Sequence, residues 1–110
     1  MIVLEILCRH GFDLVSSFRE GIREGEFKSF DLKRGGSRSR ARAEVTHKSP
    51  RTPGKIALQR RDSVCIARVS APAGKEWDIL HKFVGRLVHR YPDRVMSIRI
   101  DFPEPRRRRR

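Results

Sequence analysis

The chain has 110 residues, 37% of them hydrophobic, and a formal charge of +13 at pH 7. That length suits one domain with a real core, so folding requires neither a disulfide nor a metal. No apolar run is long enough for a membrane span, and no basic leader with a cleavage site is present. The expected setting is intracellular: cytoplasmic, or nuclear in a eukaryote.

Ile2–Cys8 is rich in branched apolar residues on both faces and predicts a central strand. Residues 11–25 put Leu14, Val15, Phe18 and Ile22 on one helical stripe, with Arg19, Arg23 and Glu24 opposite. Gly25 predicts the stop. Residues 27–32 read as a second strand, with Phe30 and Leu32 on one face. The stretch KRGGSRSR holds no apolar residue and two glycines, which predicts a flexible loop.

Residues 41–48 alternate Ala41, Ala43, Val45 and His47 against Arg42, Glu44 and Thr46, the pattern of an edge strand with a charged outer face. The prolines of SPRTPG end it. KIALQ and SVCIARV predict two short strands, joined at residues 60–63 without an Asn-Gly or Asp-Gly signal. Residues 75–91 predict a helix whose apolar stripe is Trp77, Leu80, Val84, Leu87, Val88 and Tyr91, stopped by Pro92. Residues 95–102 alternate Met96, Ile98, Ile100 and Phe102 against Val95, Ser97, Arg99 and Asp101.

This order predicts an α+β fold, an antiparallel sheet with two helices on one face. Four of the strands suit a ferredoxin-like βαββαβ core. Residues 33–55 then form a basic, partly flexible excursion between the second and third core strands. The expected organisation is a single domain over residues 1–103 and a disordered arginine tail over 104–110.

Charge is unevenly placed. Residues 33–61 hold ten bases and one acid, Glu44, and residues 106–110 are all arginine. The remainder carries eleven bases and twelve acids, so the body is close to neutral. Twenty of the 26 bases are arginine, the side chain suited to forked contacts with phosphate. Two segregated basic blocks on a neutral body point to an anionic partner, RNA or DNA. The expected contacts are Arg34, Arg38, Arg40, Arg42, Lys48, Arg51, Lys55, Arg60 and Arg61, with Arg106, Arg107 and Arg108 in the tail.

One RGG, Arg34 to Gly36, and the SRSRAR run accord with this, and TPGK at residues 52–55 fits a short pattern of minor-groove contacts. The polar face of the last strand offers Ser97, Arg99 and Asp101 but no ring for base stacking. Backbone contacts with low sequence preference follow, in an accessory or ribonucleoprotein-subunit role.

Two other classes stand beside this one. An exposed edge such as residues 41–48 suits a protein-interaction module, pairing with an acidic partner or a second copy. His10 and Asp13, flanking Gly11-Phe12, suit acid–base work in a small metal-independent nuclease. The expectation is nonetheless non-enzymatic. No P-loop, GxSxG or HExxH occurs, and no cofactor or small-molecule substrate is implied.

His81 and His89 are eight apart, too far for one metal ion on a helix. Cys8 and Cys65 lie in apolar runs without CxxC spacing and read as buried thiols of a reducing compartment, bridged only if their strands are neighbours. Gly85, in mid-helix, suggests close approach by the sheet or by another subunit.

Overall fold

The structure is a computed structural model that describes residues 1–33 and 41–102. Six strands and two helices follow one another as β1 (Ile2–Cys8), α1 (Leu14–Arg23), β2 (Phe30–Leu32), β3 (Arg42–His47), β4 (Lys55–Arg61), β5 (Val64–Ser70), α2 (Glu76–Arg90) and β6 (Val95–Asp101). The strands form one antiparallel sheet in the order β2-β3-β4-β5-β1-β6. The class is α+β. No helix among the described residues is long and apolar enough to cross a membrane.

Alternation decides which side chains are buried. Ile2, Leu4, Ile6 and Cys8 of β1 share a face with Cys65, Ala67 and Val69 of β5, through the register Ile2↔Val69, Leu4↔Ala67, Ile6↔Cys65. Ile56 and Leu58 of β4 and Ala43 and Val45 of β3 continue that face. All of them join one core cluster with Leu14, Val15 and Phe18 of α1 and Ile79, Leu80, Phe83 and Leu87 of α2. The intervening strand residues are half-buried or exposed and make the open face of the sheet.

Aromatic rings fill the space between α1, α2 and the β2–β3 end. Phe18 stacks on Phe27 at 4.6 Å between centroids and meets Phe30 and Phe83 edge-on at 5.7 and 5.4 Å. Phe27 belongs to the turn before β2 rather than to the strand, which is shorter than the sequence pattern suggests.

Local signals account for the helix ends. Asp13 caps α1, its Oδ1 accepting from the Ser16 N–H at 3.1 Å. Gly25 follows α1 in a left-handed conformation, φ +81°. The tight β4–β5 connection places Asp62 at φ +53°, a conformation Asp tolerates better than most residues.

Three expectations need correction. Residues 42–47 are not an edge: β3 lies between β2 and β4, paired through Phe30↔His47 on one side and Val45↔Ile56 on the other. This stretch is therefore part of the sheet rather than an excursion from it. The buried stripe of α2 is also rotated. Ile79 and Phe83 are buried with Leu80, Leu87 and Tyr91, whereas Trp77 and Val88 are more than half exposed. Finally, the sheet does not approach Gly85: a Cβ built there meets no atom of the described chain within 4 Å.

Candidate nucleic-acid interface

The open face is where the predicted contacts can meet a ligand, and the register sets their spacing. On β3, Arg42 and Glu44 point outward; on β4, Lys55, Ala57, Gln59 and Arg61; on β5, Val64, Ile66 and Arg68. Arg42 pairs with Gln59, Glu44 with Ala57, and Ala57 in turn with Arg68. Ala57 is small, so Glu44 and Arg68 flank a depression of about 360 Å³ that Arg42 and Gln59 also line. Arg68 donates to Gln59 Oε1 at 3.4 Å.

Glu44 is the acid of this quarter. Lys33 and Lys55 hold it from two sides, at 3.4 and 3.2 Å. The hydrogen bond from Lys55, with the charges of Lys33 and Lys55 added, keeps its carboxyl below the usual carboxylate range. Glu44 is thus ionised and satisfied by two lysines. Arg42, Arg61 and Arg68 have no carboxylate partner among the described residues, and their charge faces outward uncompensated. The other half of the open face differs in balance, with Glu5, Arg99 and Asp101 on β1 and β6.

The structure divides the sequence-predicted residues. Arg42, Lys55 and Arg61 share this face, with Lys55 and Arg61 at opposite ends of β4. Arg60 turns to the opposite face and bonds Asp13 at 3.1 Å. Lys48 sits beyond the far end of β3, 3.7 Å from Asp31. Arg51 is exposed in the β3–β4 turn. Arg34, Arg38, Arg40, Arg106, Arg107 and Arg108 lie outside the described residues.

Within TPGK, Thr52 is buried and accepts a hydrogen bond from Lys82, while Gly54 lies against Ser70 and Ala71. That tetrapeptide is therefore held by its own protein.

Arg68 was not among the expected contacts. Its signal is in SVCIARV, where it alternates with the buried Cys65, Ala67 and Val69 and must face outward. Sequence alone does not show which outward residues of β3 and β4 stand beside it.

A second basic cavity, about 410 Å³, lies between α2 and the β2–β3 ladder. His47, His81, Lys82 and Arg86 line it with Ser29, Phe30 and Gly85, and no carboxylate does. Burial, and then the charge of Lys82, push the His47 pKa down. A neutral ring agrees with its Nδ1 accepting the Ser49 N–H at 3.0 Å.

The other expected groups are separate. Asp13 accepts from Ser16 and Arg60, and no hydrogen bond joins it to His10. His81 stacks on Trp77 at 5.6 Å. Cys8 and Cys65 are free and buried. No group of three or more His, Cys, Asp or Glu among the described residues could hold a metal ion.

No protein-family model fits the chain, and no curated protein or solved structure matches it significantly.

Proposed function

We propose that this protein binds RNA or DNA through the phosphate backbone, with low sequence preference, as an accessory or ribonucleoprotein subunit rather than as an enzyme. The observation that carries the reading is the uncompensated arginine set on the open face, Arg42, Arg61 and Arg68. The sequence adds to it. Residues 34–40 hold three more arginines in the sequence, and the described residues that flank them, Lys33 and Ala41, are hydrogen-bonded to Glu44 of β3 and Arg60 of β4. The open face carries no aromatic ring among its strand residues, so stacking contributes little and phosphate contact dominates. The two free buried thiols support an intracellular setting.

A finer fold reading accompanies this one. Strands β6-β1-β5-β4 with both helices fit a ferredoxin-like core on one face of the sheet, with β2 and β3 added at one side. NOEs from both helices to Leu4, Ile6 and Ala67 are expected, and their absence for either helix ends that reading.

Binding is tested by anisotropy of labelled single-stranded RNA, single-stranded DNA and duplex across a salt series. The triple variant R42A/R61A/R68A should weaken all three about equally. It should also flatten the slope of log K against log salt by roughly 0.7–0.9 for each phosphate that is no longer neutralised. An unchanged slope removes the open face from the interface.

A further inference from the structure

The two edges of the sheet are unlike. β2 is three residues long, whereas β6 runs seven residues, Val95–Asp101, with no proline, glycine or lysine in it. Among the described residues β6 pairs only with β1. The free N–H and C=O groups of such an edge are a template for another strand, and its charges, Arg99 and Asp101, restrict which strand can pair with it.

The free groups of that edge follow from the register. The Cys8 N–H donates to Ser63 O on the β5 side of β1, and the Arg9 N–H to Arg94 O on the β6 side. Backbone groups alternate in direction along a strand, so Val3, Glu5 and Leu7 turn theirs to β6. Their register partners Asp101, Arg99 and Ser97 turn back toward β1. The register shifts between Leu7 and Cys8, where Met96 is the extra residue of β6, so in the regular part of the strand Ile98 and Ile100 are left with N–H and C=O pointing outward.

Four of the exposed apolar side chains, Met1, Leu7, Met96 and Phe102, lie on or beside β1 and β6. Met1, Leu7, Trp77, Val88, Met96 and Phe102 are the exposed large hydrophobic residues among those described. Each belongs to β1, α2 or β6, or directly adjoins one of them. None lies on β2 to β5.

We propose that β6 pairs antiparallel with β6 of a second copy, with Ile100 opposite itself on a two-fold axis. Charge selects both the occupant and the register. Opposed residues must turn their backbone groups the same way, so the axis passes through a residue. An axis at Arg99 sets that cation against itself, and like charges directly opposite are destabilising. An axis at Ile98 puts Arg99 opposite Ser97 and Asp101 opposite Val95, leaving both charges unanswered across the seam.

An axis at Ile100 places Arg99 opposite Asp101 twice and Ile98 opposite Phe102. These charged pairs are the non-hydrogen-bonded kind, in which side chains come closest. Arg99 Nε already lies 3.2 Å from Asp101 Oδ1 within one chain, so the seam joins two ready ion pairs into a ring of four charges. The sheet would run continuously through both copies and leave the arginines of β3, β4 and β5 free at its two ends. This dimer therefore does not depend on the nucleic-acid reading.

The test is sedimentation equilibrium of nucleic-acid-free protein over a concentration series. Wild type should dimerise. Arg99→Asp and Asp101→Arg should each weaken the dimer by roughly tenfold or more, since two facing pairs turn repulsive at once. The double variant R99D/D101R, which restores opposite charges across the axis, should recover the dimer. The Arg99 side chain is exposed and that of Asp101 about half-exposed, so each variant should keep the wild-type circular dichroism and the comparison remains one of assembly. A wild-type monomer throughout, a dimer indifferent to Arg99→Asp, or a double variant no better than either single would overturn the proposal.

Discussion

The Arg60 guanidinium reaches 47 positions back along the chain and lies 3.1 Å from the Asp13 carboxylate, which also caps α1 through Ser16. One end of β4 is thus tied to the start of a helix. Both partners are partly exposed, so the tie contributes modestly, about 0.2–1 kcal/mol. Arg60→Ala should lower the urea midpoint slightly and leave nucleic-acid affinity near wild type. Arg61→Ala, one residue along and facing the other way, should do the reverse. Equal losses of affinity in the two variants would mean that sheet face does not govern contact.

Two helical glycines should respond to alanine with opposite signs. At Gly21 a Cβ would run into the Phe27 ring, which is stacked on Phe18, so Gly21→Ala overpacks the core and should cost about 1–3 kcal/mol. At Gly85 the added methyl meets nothing, and Gly85→Ala should stabilise α2 by about 1 kcal/mol. Thermal melts of both variants decide this. A destabilised Gly85→Ala would show that the cavity beside it is needed for folding.

Acid should destabilise the protein in two stages. Burial and Lys82 lower the His47 pKa from 6.5, so the folded state favours the neutral ring. That contribution is full above pH 6.5 and is lost as pH falls through the depressed folded value. Glu44 and Glu26 are lowered from 4.5, by Lys55 and Arg90 in first place, and their contributions disappear only below that value. Urea midpoints at about pH 7.5, 5.5 and 3.5 should therefore fall in sequence. His47→Asn, which keeps an acceptor for the Ser49 N–H, should flatten the first step and leave the second.

The two thiols should be silent in the native protein. Burial raises both pKa values, that of Cys65 to about 12. An aromatic disulfide reagent at mildly alkaline pH should titrate no thiol until denaturant is added, and then two. Rapid reaction of either cysteine in native buffer would contradict the burial of β1 and β5.

Much of the architecture was legible. Alternation marked the strands of residues 2–8, 64–70 and 95–101, because a strand buried on one face must alternate. The α2 span was equally plain, but its buried face was not. Trp77 and Val88 satisfy a helical stripe as well as Ile79 and Phe83 do, and only the position of the sheet selects between them. Residues 41–48 misled for a related reason. Their charged outer positions look like those of an exposed edge, yet they belong to an interior strand whose outer face is open to solvent.

The sequence by itself determined the clustering of positive charge, the near-neutral body, the strand and helix periods, and the absence of familiar catalytic motifs. These depend on residue type and short-range spacing. Tertiary structure decided which arginines share a face, which are tied to carboxylates, and which strands form the edges of the sheet. Arg42, Arg61 and Arg68 share a face only through the β3–β4–β5 register, and Arg60, one residue from Arg61, is turned to Asp13 on the other face. Such relations arise from pairing between strands distant along the chain, and local periodicity carries no record of them.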